Sequence, residues 1–268
     1  MREFKQLKTK KGRDETGLFI IEGDKFVKEI PGDWEVRRII IATRFAEGQD
    51  LALYKKRAPV EVVRDSLFDS LADTVTPQGI MAVVQQKRWQ LNQLTAQREV
   101  IPTSGKLNMS LEDSIKTPGF ILLGESLNDP GNIGTLIRTA AAAGASGVAL
   151  STGSGDIYNP KVLRASAGAI LRLPVVENIN LSEAITQLRQ AKYAIYATDT
   201  KGDTLPYSLD LRGSFCWLVG NEAHGLSPGA ISYADKLVRL PMARDMESLN
   251  ASIAGGVLLY ETLRQRLI

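Results

Sequence analysis

Gly220-Asn221-Glu222-Ala223-His224-Gly225-Leu226-Ser227 follows directly on the apolar run Phe215-Cys216-Trp217-Leu218-Val219. A buried strand that ends in a glycine-bearing turn brings backbone N–H groups to a place where a ligand can meet them. Further along, Leu240-Pro241-Met242 leads into Ser248-Leu249-Asn250-Ala251-Ser252. Two such bends, rich in uncharged hydrogen-bonding side chains and carrying the carboxylate of Glu222, read as a cofactor pocket rather than as surface loops.

Working outward from these bends, the C-terminal half alternates strands with helices. Phe120-Ile121-Leu122-Leu123 reads as a buried strand, and Asn128-Asp129-Pro130-Gly131-Asn132 as a turn into an Ala-rich helix over 133–143 that Gly144 closes. Strands over 147–150, 173–176, 193–197, 216–219 and 236–240 follow, with helices over 160–170, 181–192 and 249–267. The alternation predicts an α/β fold, a mostly parallel sheet flanked by helices. Ligands of such sheets sit outside the carboxyl ends of the strands, the edge that the loops 126–132, 221–227 and 241–250 occupy.

Residues 1–85 read as a smaller α/β unit: a basic helix or helical arm over 1–16, strands over 18–23, 38–43, 60–63 and 79–84, and helices over 24–30, 46–57 and 66–72. The stretch 86–117 is polar and weakly patterned, with one helix around Leu91 to Ala96 and Pro102-Thr103-Ser104-Gly105 as a breaker. It is read as a linker, which sets the units at 1–85 and 118–268.

Of the 268 residues, 44% are apolar and 24% charged, values of an ordinary globular protein. No apolar run approaches the roughly 18 residues of a membrane span, and Met1-Arg2-Glu3-Phe4-Lys5 lacks the apolar core of a signal peptide, so a cytoplasmic protein is expected. The single cysteine, Cys216, and the single histidine, His224, are too few for a zinc site, so no metal is expected. The net charge of +3 lies wholly in the first ninety residues, where 17 Lys and Arg face 14 Asp and Glu, against 16 of each beyond. Lys8, Lys10, Lys11 and Arg13 are its densest part, either a solvated helix face or a set of phosphate contacts. Lys161 and Arg164, three apart on a second helix and followed by Arg172, pose the same choice.

Arg138 is a lone guanidinium on a helix of small residues. It is either a surface group or the bidentate phosphate clamp for which arginine is suited. Asn132 is either a helix cap or a site residue, and so is Asn250. Ser248 and Asn250 carry no charge, which suits them to orientation rather than proton transfer. They precede a helix whose inner face is read as Ile253, Val257 and Tyr260. Cys216 reads as a buried core thiol. No GxGxxG, GxxxxGK[ST] or GxSxG pattern is present.

Three motifs in this half resemble those of the SpoU-type RNA 2′-O-ribose methyltransferases, members of the SPOUT superfamily. They are Asn132-x-Gly134-x-x-x-Arg138-x-Ala140, Gly220-x-Glu222-x-x-Gly225-Leu226-Ser227, and Pro241-Met242 followed by Ser248-Leu249-Asn250-x-Ser252-x-Ala254. Residue types, spacing and order all match. The segment 159–169 also looks familial. Phe19-Ile20-Ile21-Glu22-Gly23 and Thr76-Pro77-Gln78-Gly79-Ile80 resemble, more weakly, pieces of the RNA-binding domain that precedes the catalytic domain in many members.

The resemblance implies a C-terminal trefoil knot, a homodimer with its site near the subunit boundary, and S-adenosylmethionine held by Gly220, Leu240, Leu249 and Met242. It implies methylation of a ribose 2′-hydroxyl in RNA, ribosomal RNA before transfer RNA, with a non-catalytic RNA-binding relative as the rival. Arg138 is then either the base or the clamp on phosphate and alkoxide, and Asn132, Glu222, Ser248 and Asn250 hold it and the ribose.

Overall fold

Successive residues of Ile39-Ile40-Ile41-Ala42 face different cores. Ile39 and Ile41 join one buried cluster with Ile80, Ala82 and Val84, while Ile40 and Ala42 join another with Met81 and Val83. A strand turns alternate side chains to opposite faces, so a sheet covered on both sides needs apolar runs of this kind.

In the computed structural model, the described residues are all but 1, 48, 96–97, 101–114, 244–245, 247 and 268. Strands β1 (Leu18–Glu22), β2 (Val36–Ala42), β3 (Val60–Val63) and β4 (Ile80–Gln85) form the N-terminal sheet in the order β1-β4-β2-β3. β4 runs antiparallel to β1 and β2, and β3 parallel to β2. Helices α1 (Arg2–Leu7), α2 (Lys10–Thr16), α3 (Asp24–Lys28), α4 (Thr43–Ala46), α5 (Ala52–Arg57) and α6 (Asp65–Leu71) accompany it. Of the helix expected over 46–57, only Ala52–Arg57 forms as α5, while α4 ends at Ala46. The basic N-terminal segment is docked, with Phe4 and Leu7 of α1 packed beside Phe68, Leu71, Met81 and Val83.

Within the expected linker lie α7 (Leu91–Leu94) and a strand pair that the sequence pattern did not announce, β5 (Arg98–Val100) antiparallel to β6 (Ile115–Thr117). Ala96, the end of the helix expected there, and the breaker at 102–105 lie outside the described residues.

The C-terminal sheet is parallel throughout, in the order β12-β10-β11-β7-β8-β9. Its strands are β7 (Phe120–Gly124), β8 (Gly147–Ser151), β9 (Val175–Ile179), β10 (Ala194–Thr198), β11 (Phe215–Val219) and β12 (Lys236–Val238). Phe120, Leu122, Phe215 and Trp217 face one core, and Ile121, Leu123, Cys216 and Leu218 the other. Cys216 is fully buried, which pushes its thiol pKa up. Helices α8 (Pro130–Ala142), α9 (Pro160–Ala165), α10 (Leu181–Gln190), α11 (Pro228–Ser232) and α12 (Ala251–Arg266) complete the unit. The helix expected over 160–170 stops at Ala165, because Ala167 and Gly168 take φ of 47° and 80°, outside the right-handed helical region.

The two sheets are not joined by a linker alone. Phe19 and Trp34 share one continuous core with Tyr158, Ile170 and Leu171. The rings of Phe19 and Tyr158 are 4.4 Å apart, and Trp34 Nε1 donates to the Leu171 carbonyl at 2.9 Å. Arg13 corrects an expectation. It is not a phosphate contact, because its guanidinium is 3% exposed, donates to the Leu7 carbonyl and pairs with Asp156 of the other unit.

The inner face of α12 is also corrected. Ser252, Gly255, Leu258, Leu259 and Thr262 are buried, while Ile253, Val257 and Tyr260 are exposed. Trp217 Nε1 donates to Thr262 Oγ1, and an added Cβ at Gly255 would lie 2.4 Å from Leu136. These tight contacts seat α12 against β11 and α8. Among the described residues no helix is long and apolar enough to cross a membrane, and no cluster of His, Cys, Asp and Glu could hold a metal ion.

Candidate active site

Asp129, not Asn132, caps α8. Its carboxylate accepts from the Asn132 backbone N–H at 2.8 Å, and Pro130 follows at the first helical position. Asp before Pro is the strong start signal, and its use here frees the Asn132 side chain. That amide donates from Nδ2 to Glu222 Oε1 at 3.1 Å and accepts at Oδ1 from Asn250 Nδ2 at 3.0 Å. Asn250 Oδ1 in turn accepts from the backbone N–H groups of Ser252 and Ile253 and from Ser252 Oγ. Asn250 is therefore both a cap for α12 and a site residue.

The polarity of this relay is dictated by chemistry. An ionised carboxylate only accepts, and the backbone N–H groups of α12 only donate. Each amide between them has one orientation that satisfies both neighbours. Glu222 also lies near the first N–H groups of the loop into α8, those of Asn128 and Asp129, at 3.5 and 3.4 Å. The positive end of a helix dipole favours a carboxylate there.

The turn after β11 is tied down from both ends. Asn221 and Gly225 exchange backbone hydrogen bonds, with Gly225 at a φ of 68°. Asn221 Nδ2 donates to the Ser126 carbonyl at 2.7 Å, and Glu125 accepts from both the N–H and the hydroxyl of Ser227. At Gly220 an added Cβ would lie 2.3 Å from the Gly225 backbone, so no side chain fits. Glu125, Ser126, Asn128, Asp129 and Asn221 were not singled out from the sequence as site residues. Only Asp129-Pro130 carried a local signal.

Asn128, Asp129, Asn132, Asn221, Glu222, His224 and Asn250 thus line one cleft at the carboxyl edge of the sheet. Arg138 does not join the relay. Six residues on from Asn132 at about 100° each, it points elsewhere, is exposed and makes no ion pair among the described residues. Ser248 is exposed and forms no side-chain hydrogen bond among them either. Gly220 and Leu240 leave the sheet at the same edge, two strands apart in the order β12-β10-β11. Met242 is half-buried, and Leu249 is 41% exposed. Among the described residues, the backbone groups of Gly220, Leu240 and Leu249 enter none of the turn and loop hydrogen bonds. At buried Gly220 such groups call for a partner.

The basic residues are placed as follows. Lys8 donates to the carbonyls of Ser70 and Ala72, and Lys10 and Lys11 make long exposed pairs with Asp14 and Glu15. Lys161 is exposed, Arg164 pairs with Asp73 at 2.5 Å, and Arg172 pairs with Glu29.

The model of the SpoU rRNA Methylase family matches residues 119–260, the span that holds the whole relay. The chain belongs to this family. Within the SpoU family, the 23S rRNA (guanosine(2553)-2′-O)-methyltransferase RlmP of Bacillus subtilis (strain 168) is 29% identical over 97% of this chain and 94% of its own length. The 23S rRNA (guanosine-2′-O-)-methyltransferase RlmB of Xylella fastidiosa (strain Temecula1) is 31% identical over 93% and 97%. The AdoMet-bound rRNA methyltransferase from Sinorhizobium meliloti superimposes with a TM-score of 0.81 at 28% identity, covering 98% of this chain and 93% of its own. The SpoU methyltransferase AviRb from Streptomyces viridochromogenes, in complex with AdoMet, gives 0.82 at 25%, covering 100% and 98%. Residues 1–82 match the model of the MRM3-like substrate binding domain.

Proposed function

We propose that this SpoU protein methylates a ribose 2′-hydroxyl of ribosomal RNA, with S-adenosylmethionine as donor. The observation that carries the reading is the relay Glu222–Asn132–Asn250, which joins all three motifs at the carboxyl edge of a parallel sheet. Relatives matching almost the whole chain act on 23S rRNA by name, which favours ribosomal over transfer RNA as substrate and supports a cytoplasmic setting.

The backbone groups of Gly220, Leu240 and Leu249, which enter no turn or loop hydrogen bond among the described residues, suit an adenosine edge, and half-buried Met242 offers apolar cover. When bound, the donor supplies a methyl group on a positively charged sulfur. A ribose hydroxyl must lose its proton and lie in line with that methyl. Arg138 stabilises the emerging alkoxide or clamps the adjoining phosphate. Asn132, Glu222 and Asn250 hold the sugar, with Ser248 at the rim. Lys8, Lys10, Lys11, Lys161 and Arg164 contact phosphates: Lys161 is exposed, and the exposed ion pairs of Lys10, Lys11 and Arg164 give way readily to a polyanion.

The protein works as a homodimer. Leu249, Ile253, Val257 and Tyr260 form an exposed apolar face on and before α12, and Arg138 points away from its own chain's relay. A twofold partner through that face answers both facts. The chain also threads itself as a trefoil knot, which accounts for the return of α12 from the sheet-edge strand β12 to α8 at the middle.

Incubation of the protein with labelled S-adenosylmethionine and ribosomal RNA, followed by mapping of the labelled nucleotide, tests the reading. Label on a ribose 2′-oxygen is expected. Label on a base, or none, overturns it.

A further inference from the structure

Three segments that look familial have no part in the methyl transfer itself: 19–23, 76–80 and 159–169. They converge. Ile20, Glu22 and Gly23 from the first, Thr76 and Gln78 from the second, and Leu163, Arg164 and Gly168 from the third line one cavity between the two units. Its volume is about 370 Å³, within the range of small-ligand sites, which favour domain boundaries and apolar walls with a few polar groups.

Ile20 and Phe26 contribute apolar wall from the N-terminal unit, and Leu163 and Leu171 from the C-terminal unit. Two polar side chains are held in fixed orientation at this wall. Glu22 accepts one hydrogen bond on each carboxylate oxygen, from Thr74 Oγ1 and from the Asp73 N–H, and each oxygen keeps a lone pair. Gln78 Oε1 accepts from the Asp24 N–H at 2.9 Å, which leaves its NH2 group without a partner among the described residues. Cations stand around the same space: Lys8, Lys25 and Arg164. A flat apolar body with a donor-and-acceptor edge, attached to an anionic backbone, meets all three features. That is a nucleobase on its phosphate chain.

We infer that this interdomain cavity receives one unpaired nucleobase of the substrate RNA, at a nucleotide other than the one methylated. The inference rests on the RNA-methylating reading and adds a second subsite to it. The base stacks on the Ile20, Phe26, Leu163 and Leu171 walls, Glu22 and Gln78 read its edge, and Lys8, Lys25 and Arg164 hold its phosphates. α9 lies between this subsite and the catalytic helix. Leu163 and Arg164 border the cavity, while Val162 and Ala165 of the same helix press on Gly134 of α8, where an added Cβ would lie 2.5 Å from Ala165. The bound base is thereby registered one helix away from the relay.

The test uses the full-length protein and the ribosomal RNA fragment in which methylation is mapped. Each nucleotide is replaced in turn by an abasic residue, and RNA affinity is measured for wild type and for Leu163→Trp, which fills the cavity. Base stacking contributes enough that a loss of about tenfold is expected in wild type at one position away from the methylated nucleotide. The same replacement should cost Leu163→Trp nothing, and that variant should bind intact RNA about tenfold more weakly with unchanged S-adenosylmethionine affinity. A second arm needs no variant: RNA carrying thio-substituted bases should photocrosslink from that position to peptides spanning 20–26 or 160–171. A flat abasic scan in a wild type that methylates normally, or crosslinks only elsewhere, overturns the subsite and leaves the methylation reading standing. Absence of methylation on any RNA sinks the broader reading instead. Should Leu163→Trp not fold, Leu163→Phe and the crosslinking arm decide.

Discussion

Asn250 Nδ2 donates to Asn132 Oδ1 across 3.0 Å, although 118 residues separate them in the chain. This bond ties the start of α12 to the first turn of α8, and through Asn132 Nδ2 it reaches Glu222. Replacing Asn132 by Asp sets a second carboxylate against Glu222 and removes the donor that it uses. A hydrogen bond to a charged group contributes about 1.5–3 kcal/mol, so the rate of methyl transfer should fall roughly tenfold to a hundredfold. Single-turnover kinetics on the mapped RNA check this, and a rate within twofold of wild type would remove the relay from the mechanism.

Arg138 stands outside that network, exposed on α8. Arg138→Ala should reduce methyl transfer by about 10² or more, the scale of one lost charge-stabilising group, while S-adenosylmethionine binds as before. Isothermal titration beside turnover separates the two effects. Intact turnover would refute any role at the reacting oxygen. Arg138→Lys keeps the charge but loses the planar fork, so partial activity there favours alkoxide stabilisation over a bidentate phosphate clamp.

The sheets were legible because their strands are continuous apolar runs, and Phe215 to Val219 could hardly be anything else beside a glycine-bearing turn. Asn132, Glu222 and Asn250 were legible as types in a pattern. Their mutual bonds were not, since nothing local in the sequence says that positions 132 and 250 meet. Arg13 shows the limit most plainly. Among Lys8, Lys10 and Lys11 it looks like one more exposed cation, and only tertiary packing brings it against Asp156. The helix face of Ile253, Val257 and Tyr260 misled for a related reason. An apolar stripe marks a surface to be covered without saying whether its own chain covers it.

Arg13→Ala strips Asp156 of its buried partner. Breaking one side of a buried pair costs about 3–5 kcal/mol, so the melting temperature should fall sharply. The salt dependence of RNA binding should stay unchanged, because the group touches no phosphate. Lys10→Ala and Lys11→Ala should do the reverse, each flattening the slope of log affinity against log salt by about one with little change in melting. A changed salt slope in Arg13→Ala alone would return that residue to the RNA interface.

Glu177 on β9 carries a buried oxygen, Oε2, without a hydrogen-bond partner among the described residues. Burial first, and then the nearby Asp156 and Asp14 carboxylates against the attraction of Lys10, raise its pKa above the ordinary value of 4.5. The folded state therefore holds this proton more tightly than the unfolded chain, and stability falls as pH rises from about 4.5 through the raised value. Glu177→Gln removes the charge without removing the volume. It should melt higher than wild type at neutral pH, and the difference should close as the pH approaches 4.5. Equal melting at pH 7 would mean that the carboxylate is comfortably ionised where it sits.

The separation of Arg138 from its own relay leads to a sharper expectation for the proposed dimer. If the partner's α8 delivers the guanidinium, Arg138→Ala and Asn250→Ala fail at different parts of one shared site. Mixed in equal amounts and allowed to exchange, they form heterodimers as half of all dimers, each with one site intact and one doubly defective. About a quarter of wild-type activity should then return from two inactive preparations, a consequence of twofold symmetry that no single chain can imitate. Adding Val257→Asp to both variants places a charge on the exposed face of α12 and should abolish the rescue while shifting the sedimentation coefficient to that of a monomer. Absence of rescue in a mixture shown to contain heterodimers would mean that Arg138 reaches the ribose from within its own chain.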